Sequence, residues 1–203
     1  MPRVTEEYRA ARRAEIVAAA GKLFSSNGFH STSMADIISA SGLSAGAVYR
    51  YFRSKEELIG AVSETALSTA DEVFTDLLAD GATPSPAEAV TKVINAILAR
   101  ATRDGQTGVD LTPVALQVWA EAVRSPELSV RANTAFTLLR DHFAEVARRW
   151  QKAGNLPADA DPDLVGAAML GLGQGFLIQS LLIPGTSAEN YTVGVQALLG
   201  GQG

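Results

Sequence analysis

Ser33-Met34-Ala35-Asp36-Ile37-Ile38-Ser39-Ala40-Ser41-Gly42-Leu43-Ser44-Ala45-Gly46-Ala47-Val48-Tyr49-Arg50-Tyr51-Phe52 is the stretch on which the reading of this chain turns. It opens as a capping box: the Ser33 hydroxyl can satisfy an orphan amide of the first turn, while Asp36 complements the positive end of the helix. Gly42 suits the left-handed residue that ends a helix, and Ser44 can cap a second, very short one from Ala45 to Tyr51. Two short helices joined by Ser41-Gly42-Leu43-Ser44, over about 34–52, have helix-turn-helix spacing. Ile37, Ile38, Leu43, Val48 and Phe52 can pack the pair together and against Phe24 and Phe29, leaving Ala45, Gly46, Ala47, Arg50 and Tyr51 less constrained. Small residues at the front of the second helix let its backbone approach a groove, and a helix N-terminus favours phosphate. Any corner between helices in an all-α protein shares this spacing, so spacing alone leaves DNA binding open.

Upstream, a long helix runs from about Thr5 to Asn27, with Ile16, Leu23 and Phe24 on one face and Gly28 ending it. Downstream, Ser54-Lys55-Glu56-Glu57 is a second capping box, opening a helix that can reach about Asp80. Later breaks fall at Pro84-Ser85-Pro86, Asp104 to Gly108, Ser125-Pro126, Gly154 to Pro162 and Pro184-Gly185. Ser85-Pro86, Ser125-Pro126 and Asp161-Pro162 each put a cap before a proline suited to the first helical position. Strand signatures are almost absent. The expected fold class is all-α, with about nine helices. The expected division is a small three-helix unit with the helix-turn-helix, residues 1–54, followed by a larger helical unit, residues 55–203.

Composition narrows the chemistry. With 203 residues, 47% hydrophobic and 19% charged, the chain reads as an ordinary globular protein. The lack of cysteine excludes thiol nucleophiles, iron–sulfur clusters and thiolate zinc sites, and two histidines leave little for acid–base or metal chemistry. No nucleophile-elbow sequence surrounds any serine that could join His142 and Asp141 in a triad, and Gly171-Leu172-Gly173-Gln174-Gly175 lacks the strand and the Lys-Ser/Thr of a phosphate loop. No enzyme, cofactor or metal is expected. The net charge of −5 divides into +2 over residues 1–60, from eight Lys/Arg against six Asp/Glu, and −7 over 61–203, from nine against sixteen. Such asymmetry suits a nucleic-acid-binding end on a body that avoids DNA. The N-terminus shows no secretory pattern, so a cytoplasmic location is expected. Leu164 to Ile183 is uncharged and long enough to span a membrane, but Gln174, Gln179 and Ser180 lie inside it and its flanks are acidic. It reads as a helix buried in a core or a subunit interface, with no membrane partner.

Residues 13–60 as a string resemble the DNA-binding domain of TetR-family transcriptional regulators. The resemblance rests on Ile16-Val17-Ala18-Ala19-Ala20-Gly21-Lys22-Leu23-Phe24, Gly28-Phe29, Thr32-Ser33-Met34, Asp36-Ile37, Ser41-Gly42-Leu43-Ser44, Gly46, Val48-Tyr49, Tyr51-Phe52 and Ser54-Lys55-Glu56-Glu57-Leu58. It implies that Tyr49, Tyr51 and Lys55 contact phosphates and that Thr32 and Ser33 clamp the DNA backbone. Sequence reading would fall to Ser44, Ala45, Gly46, Ala47 and Arg50. Arg50 has the fork to read guanine, and a phosphate contact is the alternative. For Tyr49 the alternative is a partly buried core position. Arg3, Arg9, Arg12 and Arg13 form either a basic arm toward DNA or a solvated face with ordinary ion pairing.

In the remainder, Ala167, Gly171 and Gly175 recur every four residues and make a smooth stripe. With Leu182 and, on the final helix, Val195 and Leu198, they suggest the two-fold four-helix interface of TetR-like proteins. Leu116, Gln117, Trp119, Asn133, Phe136, Phe143 and Trp150 are candidate lining for a small-molecule pocket. The reading is thus a ligand-responsive repressor that binds a double-stranded operator as a homodimer. A TetR-like regulator without a small-molecule effector, or with a protein partner, is the alternative.

Overall fold

Thr5 caps the first helix, α1 (Glu6–Asn27), its hydroxyl accepting from the Tyr8 amide at 3.3 Å. The structure, a computed structural model, describes residues 5–103 and 112–199, without the side chains of 65–71, 97 and 100–103. The capping box at Ser33 closes in both directions. Ser33 Oγ accepts from the Asp36 amide at 3.2 Å, and Asp36 Oδ2 accepts from the Ser33 amide at 2.8 Å. This opens α2 (Met34–Ser41), which Gly42 ends in the left-handed region at φ 66°. Ser44 caps α3 (Ala45–Tyr51) through the Ala47 amide.

The box at Ser54 closes differently. Ser54 Oγ accepts from the Glu57 amide, but the Glu57 carboxylate reaches one residue further back, to the Arg53 amide at 2.7 Å. The helix so opened, α4 (Lys55–Leu77), stops short of Asp80, because Asp80 turns left-handed (φ 52°) inside a 3₁₀ turn, Ala79–Gly81. Arg149 caps that end by donating to the carbonyls of Leu78 and Ala82 at 2.9 and 3.0 Å. The rest of the chain forms α5 (Pro86–Arg103), α6 (Thr112–Ala122), α7 (Pro126–Lys152), α8 (Pro162–Leu182) and α9 (Ala188–Leu199). Ser85, Ser125 and Asp161 each accept a first-turn amide, as their cap-then-proline pattern predicts. Among the described residues there are nine α-helices and no strand. The break read at Asp104 to Gly108 lies outside the described residues.

The chain divides into two compact units, Met1–Ala66 with Ala101–Arg131, and Leu67–Arg100 with Ala132–Gly203. Leu58, Ile59, Ala61 and Val62 of α4 share one core with Ile16, Phe24, Phe29, Ile37, Val48 and Phe52, and α6 and α7 add Val114 and Leu128 to it. In the second unit Phe143 meets Phe74 edge-on at 4.8 Å, and His142 stacks on the same ring. There α8 crosses α7 at Gly166, where a Cβ would lie 2.6 Å from the Ala144 nitrogen and 2.9 Å from the Arg140 carbonyl oxygen.

Candidate nucleic-acid interface

Helix α3 has one face in the core and one in solvent. Val48 is buried, and Tyr51 is half-buried against the same cluster. Tyr49 is 47% exposed, so it is not a core aromatic, and Arg50 beside it is exposed as well. At the front of the helix Ser44, Ala45 and Gly46 are exposed and Ala47 is half-buried. A Cβ at Gly46 would meet nothing within 4 Å, so its smallness serves no internal packing and leaves the helix end open to an approaching backbone.

The corner that leads from α1 into α2 is built differently. Thr32 is 1% exposed, and its hydroxyl donates inward, 2.8 Å from the Gly28 carbonyl and 3.3 Å from that of Leu23. The Thr32 side chain therefore cannot clamp a DNA backbone; it closes the end of α1. Lys55 is half-buried and its ammonium donates to the carbonyls of Phe29 (2.7 Å) and Thr32 (3.1 Å), which spends two of its three N–H groups on the protein. Ser33 is exposed, with its hydroxyl 2.6 Å from Asp36 Oδ2; that hydroxyl and the Ser33 amide hold the Asp36 carboxyl below its usual range. On α1, Arg12 bonds Tyr8 and Glu15, while Arg13 lies over the Phe52 ring and 3.8 Å from Glu64. Arg9 is exposed, and Arg3 lies outside the described residues.

The pattern of bacterial regulatory proteins of the tetR family matches residues 16–62, and that of the BetI-type transcriptional repressor C-terminal region matches 86–197. The chain belongs to the TetR family. The regulator UidR of Escherichia coli K12 is 26% identical over 198 residues, 93% of this chain and 91% of its own. An uncharacterised regulator of Bacillus subtilis, YfiR, is 46% identical over 66 residues, 32% of either chain. A transcriptional regulator from Saccharomonospora viridis, solved in complex with choline, shares the fold with a TM-score of 0.76 at 22% identity, covering 95% of this chain and 97% of its own. As a TetR-family protein the chain is a transcriptional regulator with an N-terminal helix-turn-helix and a C-terminal helical region.

The residues read as pocket lining in this TetR-family chain are divided between the two units. Leu116 and Trp119 are half-buried in the first unit. Gln117 is spent on α1: its Oε1 accepts from the Phe29 amide at 2.9 Å and its Nε2 donates to the Phe24 carbonyl at 3.2 Å. In the second unit Asn133 is exposed, Phe136 and Trp150 are half-buried, and Phe143 is core against Phe74. No local signal marks Gln117, whose partners lie 88 and 93 residues away.

The stripe read on α8 divides as well. Ala167, Gly171, Leu182 (69%) and Leu198 (76%) are exposed, and a Cβ at Gly171 would meet open space. Gly175 instead sits under Tyr191, whose hydroxyl would lie 3.2 Å from a Cβ there and donates to the Leu172 carbonyl at 2.7 Å. Val195 is 3% exposed and belongs to the chain's own core. A four-residue repeat on a helix of 3.6 residues per turn drifts by about 40° per step, which swings Gly175 round toward α9. The twenty uncharged residues thus have one face in the chain's core and another outside it. By length and composition alone α8 also meets the requirement for crossing a membrane.

Proposed function

We propose that this TetR-family chain is a cytoplasmic, ligand-responsive repressor. A homodimer holds a palindromic operator through residues 1–54 of each copy and releases it when a small apolar molecule binds within 55–203. The observation that carries the DNA-binding half is the exposed face of α3, with small residues at its front and Tyr49 and Arg50 standing out from a helix whose other face is core. Ser44, Ala45, Gly46 and Ala47 let the helix end approach the major groove, Arg50 reads a base or a phosphate, and Tyr49, Tyr51 and Ser33 engage the backbone. Lys55 adds its remaining N–H. One module makes few contacts, and two copies set half-sites about 34–36 Å apart. The outward face of α8 and α9, with Ala167, Gly171, Leu182 and Leu198, is the surface on which the copies meet.

The effector reading is supported by the family and by the net −7 of residues 61–203, which favours a neutral or cationic ligand over an anion. Choline in the regulator from Saccharomonospora viridis is a cation of that kind. The decisive experiment selects duplexes from a random-sequence pool and titrates the enriched duplex at several salt concentrations. The expected result is a palindromic site, a steep salt dependence and, for Arg50→Ala, relaxed preference at one base pair. Failure to enrich any duplex would overturn the reading. The effector half is tested by quenching of Trp119 and Trp150 fluorescence with apolar compounds, with and without that duplex, because a ligand that releases DNA must bind more weakly when DNA is present.

A further inference from the structure

The end of α1 is closed by one main-chain bond, from the Gly28 amide to the Phe24 carbonyl at 3.1 Å, and the amide after it has no main-chain partner. After a helix-terminal glycine, the next amide commonly bonds back to a carbonyl one turn up. Gly28 has φ 82° and ψ 165°, outside the left-handed conformation that makes this possible, and the chain leaves the helix directly. The Phe29 amide is therefore satisfied from another helix, by Gln117 Oε1, while Gln117 Nε2 returns a bond to the Phe24 carbonyl. The donor and acceptor assignments leave the amide one orientation. One turn further along α6, Glu121 stands 3.5 Å from the exposed His30 imidazole.

The corner is short and leads straight into the DNA-facing elements. Phe29 packs edge-on against Phe24 at 4.8 Å and shares a core with Val48 of α3. Its carbonyl takes Lys55, and Thr32 takes the Gly28 carbonyl, immediately before Ser33 caps α2. We propose that Gln117 is a positioning residue for DNA binding: its carboxamide, gripping the amide of Phe29 and the carbonyl of Phe24, fixes the corner from which α2 and α3 are presented. This rests on the DNA-binding reading above and adds that α6, which carries none of the residues assigned to DNA, sets the affinity.

Two variants of the full chain test it against the duplex selected by the unmodified chain, with helicity and cooperative melting checked first. Gln117→Met keeps the bulk and loses both bonds. Gln117→Glu keeps the acceptor for Phe29 but turns an ionised oxygen toward the Phe24 carbonyl. An ionised oxygen is disfavoured against that carbonyl, so lowering the pH favours the protonated carboxyl. Protonated, it accepts and donates as the amide does. At pH 8 both variants should bind at least about tenfold more weakly. At pH 5.5 Gln117→Glu should regain affinity and Gln117→Met should not. His30, Glu121 and Lys55 are the titratable groups bonded at this corner, and their share of any pH response is read from the Gln117→Met chain. Binding by Gln117→Met within twofold of the unmodified chain would overturn the proposal. So would a loss common to both variants with no recovery by Gln117→Glu at pH 5.5. If the unmodified chain selects no duplex, the DNA-binding reading falls and this one with it; if all three bind one duplex equally, only this one falls.

Discussion

At the corner of residues 28–32, side chains from three places in the chain are spent on main-chain groups: Thr32 within the corner, Lys55 from α4 and Gln117 from α6. The outward face of α8 and α9 instead offers Ala167, Gly171, Leu182 and Leu198 to whatever lies beyond the chain. The difference is between direction and area. Hydrogen bonds tolerate little misalignment, so a few of them fix how a short segment is aimed. Apolar burial is non-directional and scales with the area covered, so it suits a surface whose task is to hold a second body. In this chain the corner of residues 28–32 is held by direction, and the exposed face of α8 and α9 carries area.

The sharpest way to break the contrast uses two glycines of one helix. Gly166→Leu drives a side chain into the backbone of α7, where a Cβ would already lie 2.6 Å from the Ala144 nitrogen. The expected cost reaches or exceeds about 3 kcal/mol, read as a fall of roughly 6–12 °C in Tm. Gly171→Leu meets open space in the single chain, and replacing glycine in a helix favours that chain by several tenths of a kcal/mol. It should nevertheless sediment as a monomer at concentrations where the unmodified chain is a dimer. Equal sedimentation would place the copy-to-copy surface elsewhere.

Next in size is Thr32→Val, which keeps the shape and removes the hydroxyl from the Gly28 carbonyl. Urea unfolding should show a loss of about 1–3 kcal/mol with an unchanged m-value. A change under 0.3 kcal/mol would mean that the corner is held without it. Lys55→Ala should lose about 1–2 kcal/mol in the same assay and weaken binding to every duplex alike, because its ammonium serves two carbonyls before it serves a phosphate. Weakened DNA binding with unchanged stability would restore it to the role of a phosphate contact alone.

The smallest effect is pH-dependent. Arg149 holds the Glu145 carboxyl below its usual range, with desolvation opposing and Arg148 assisting. A lowered carboxyl stabilises the fold above its unfolded value of about 4.3, and that contribution is lost as pH falls toward the folded value. Glu145→Gln should cost about 0.5–1 kcal/mol at pH 7 for this partly exposed pair and progressively less as the pH is lowered below about 4.3, by thermal melting across that range.

The sequence reveals what short-range chemistry dictates. The Ser33–Asp36 box, the Gly42 ending and the Ser44 cap each involve partners within a few residues, and all form as read. Exposure of Tyr49 follows from its phase against Val48 on a short helix. What escapes is chemistry across the chain. Thr32 looks like a surface residue after a turn, and Lys55 looks like a free charge at a helix start; only the fold brings the carbonyls of Leu23, Gly28 and Phe29 to them. Gln117 was legible as a polar residue on an apolar helix, but not as the partner of an amide 88 residues earlier. On α8 the abundance of glycine was plain. Which of them touches another backbone depends on where α7 crosses, and that singles out Gly166.

The first unit takes in residues 112–131 as well as the N-terminal segment, and this bears on the order in which a ribosome delivers the chain. When about sixty residues have emerged, the whole helix-turn-helix has been made. The Phe29 amide then still lacks its glutamine, and the core of Ile16, Phe24 and Leu58 still lacks Val114 and Leu128. The nascent domain has to wait, incompletely closed, through the synthesis of α5 before α6 arrives to finish it. Excising residues 1–60 as an independent DNA-binding module would reproduce that waiting state rather than the folded one.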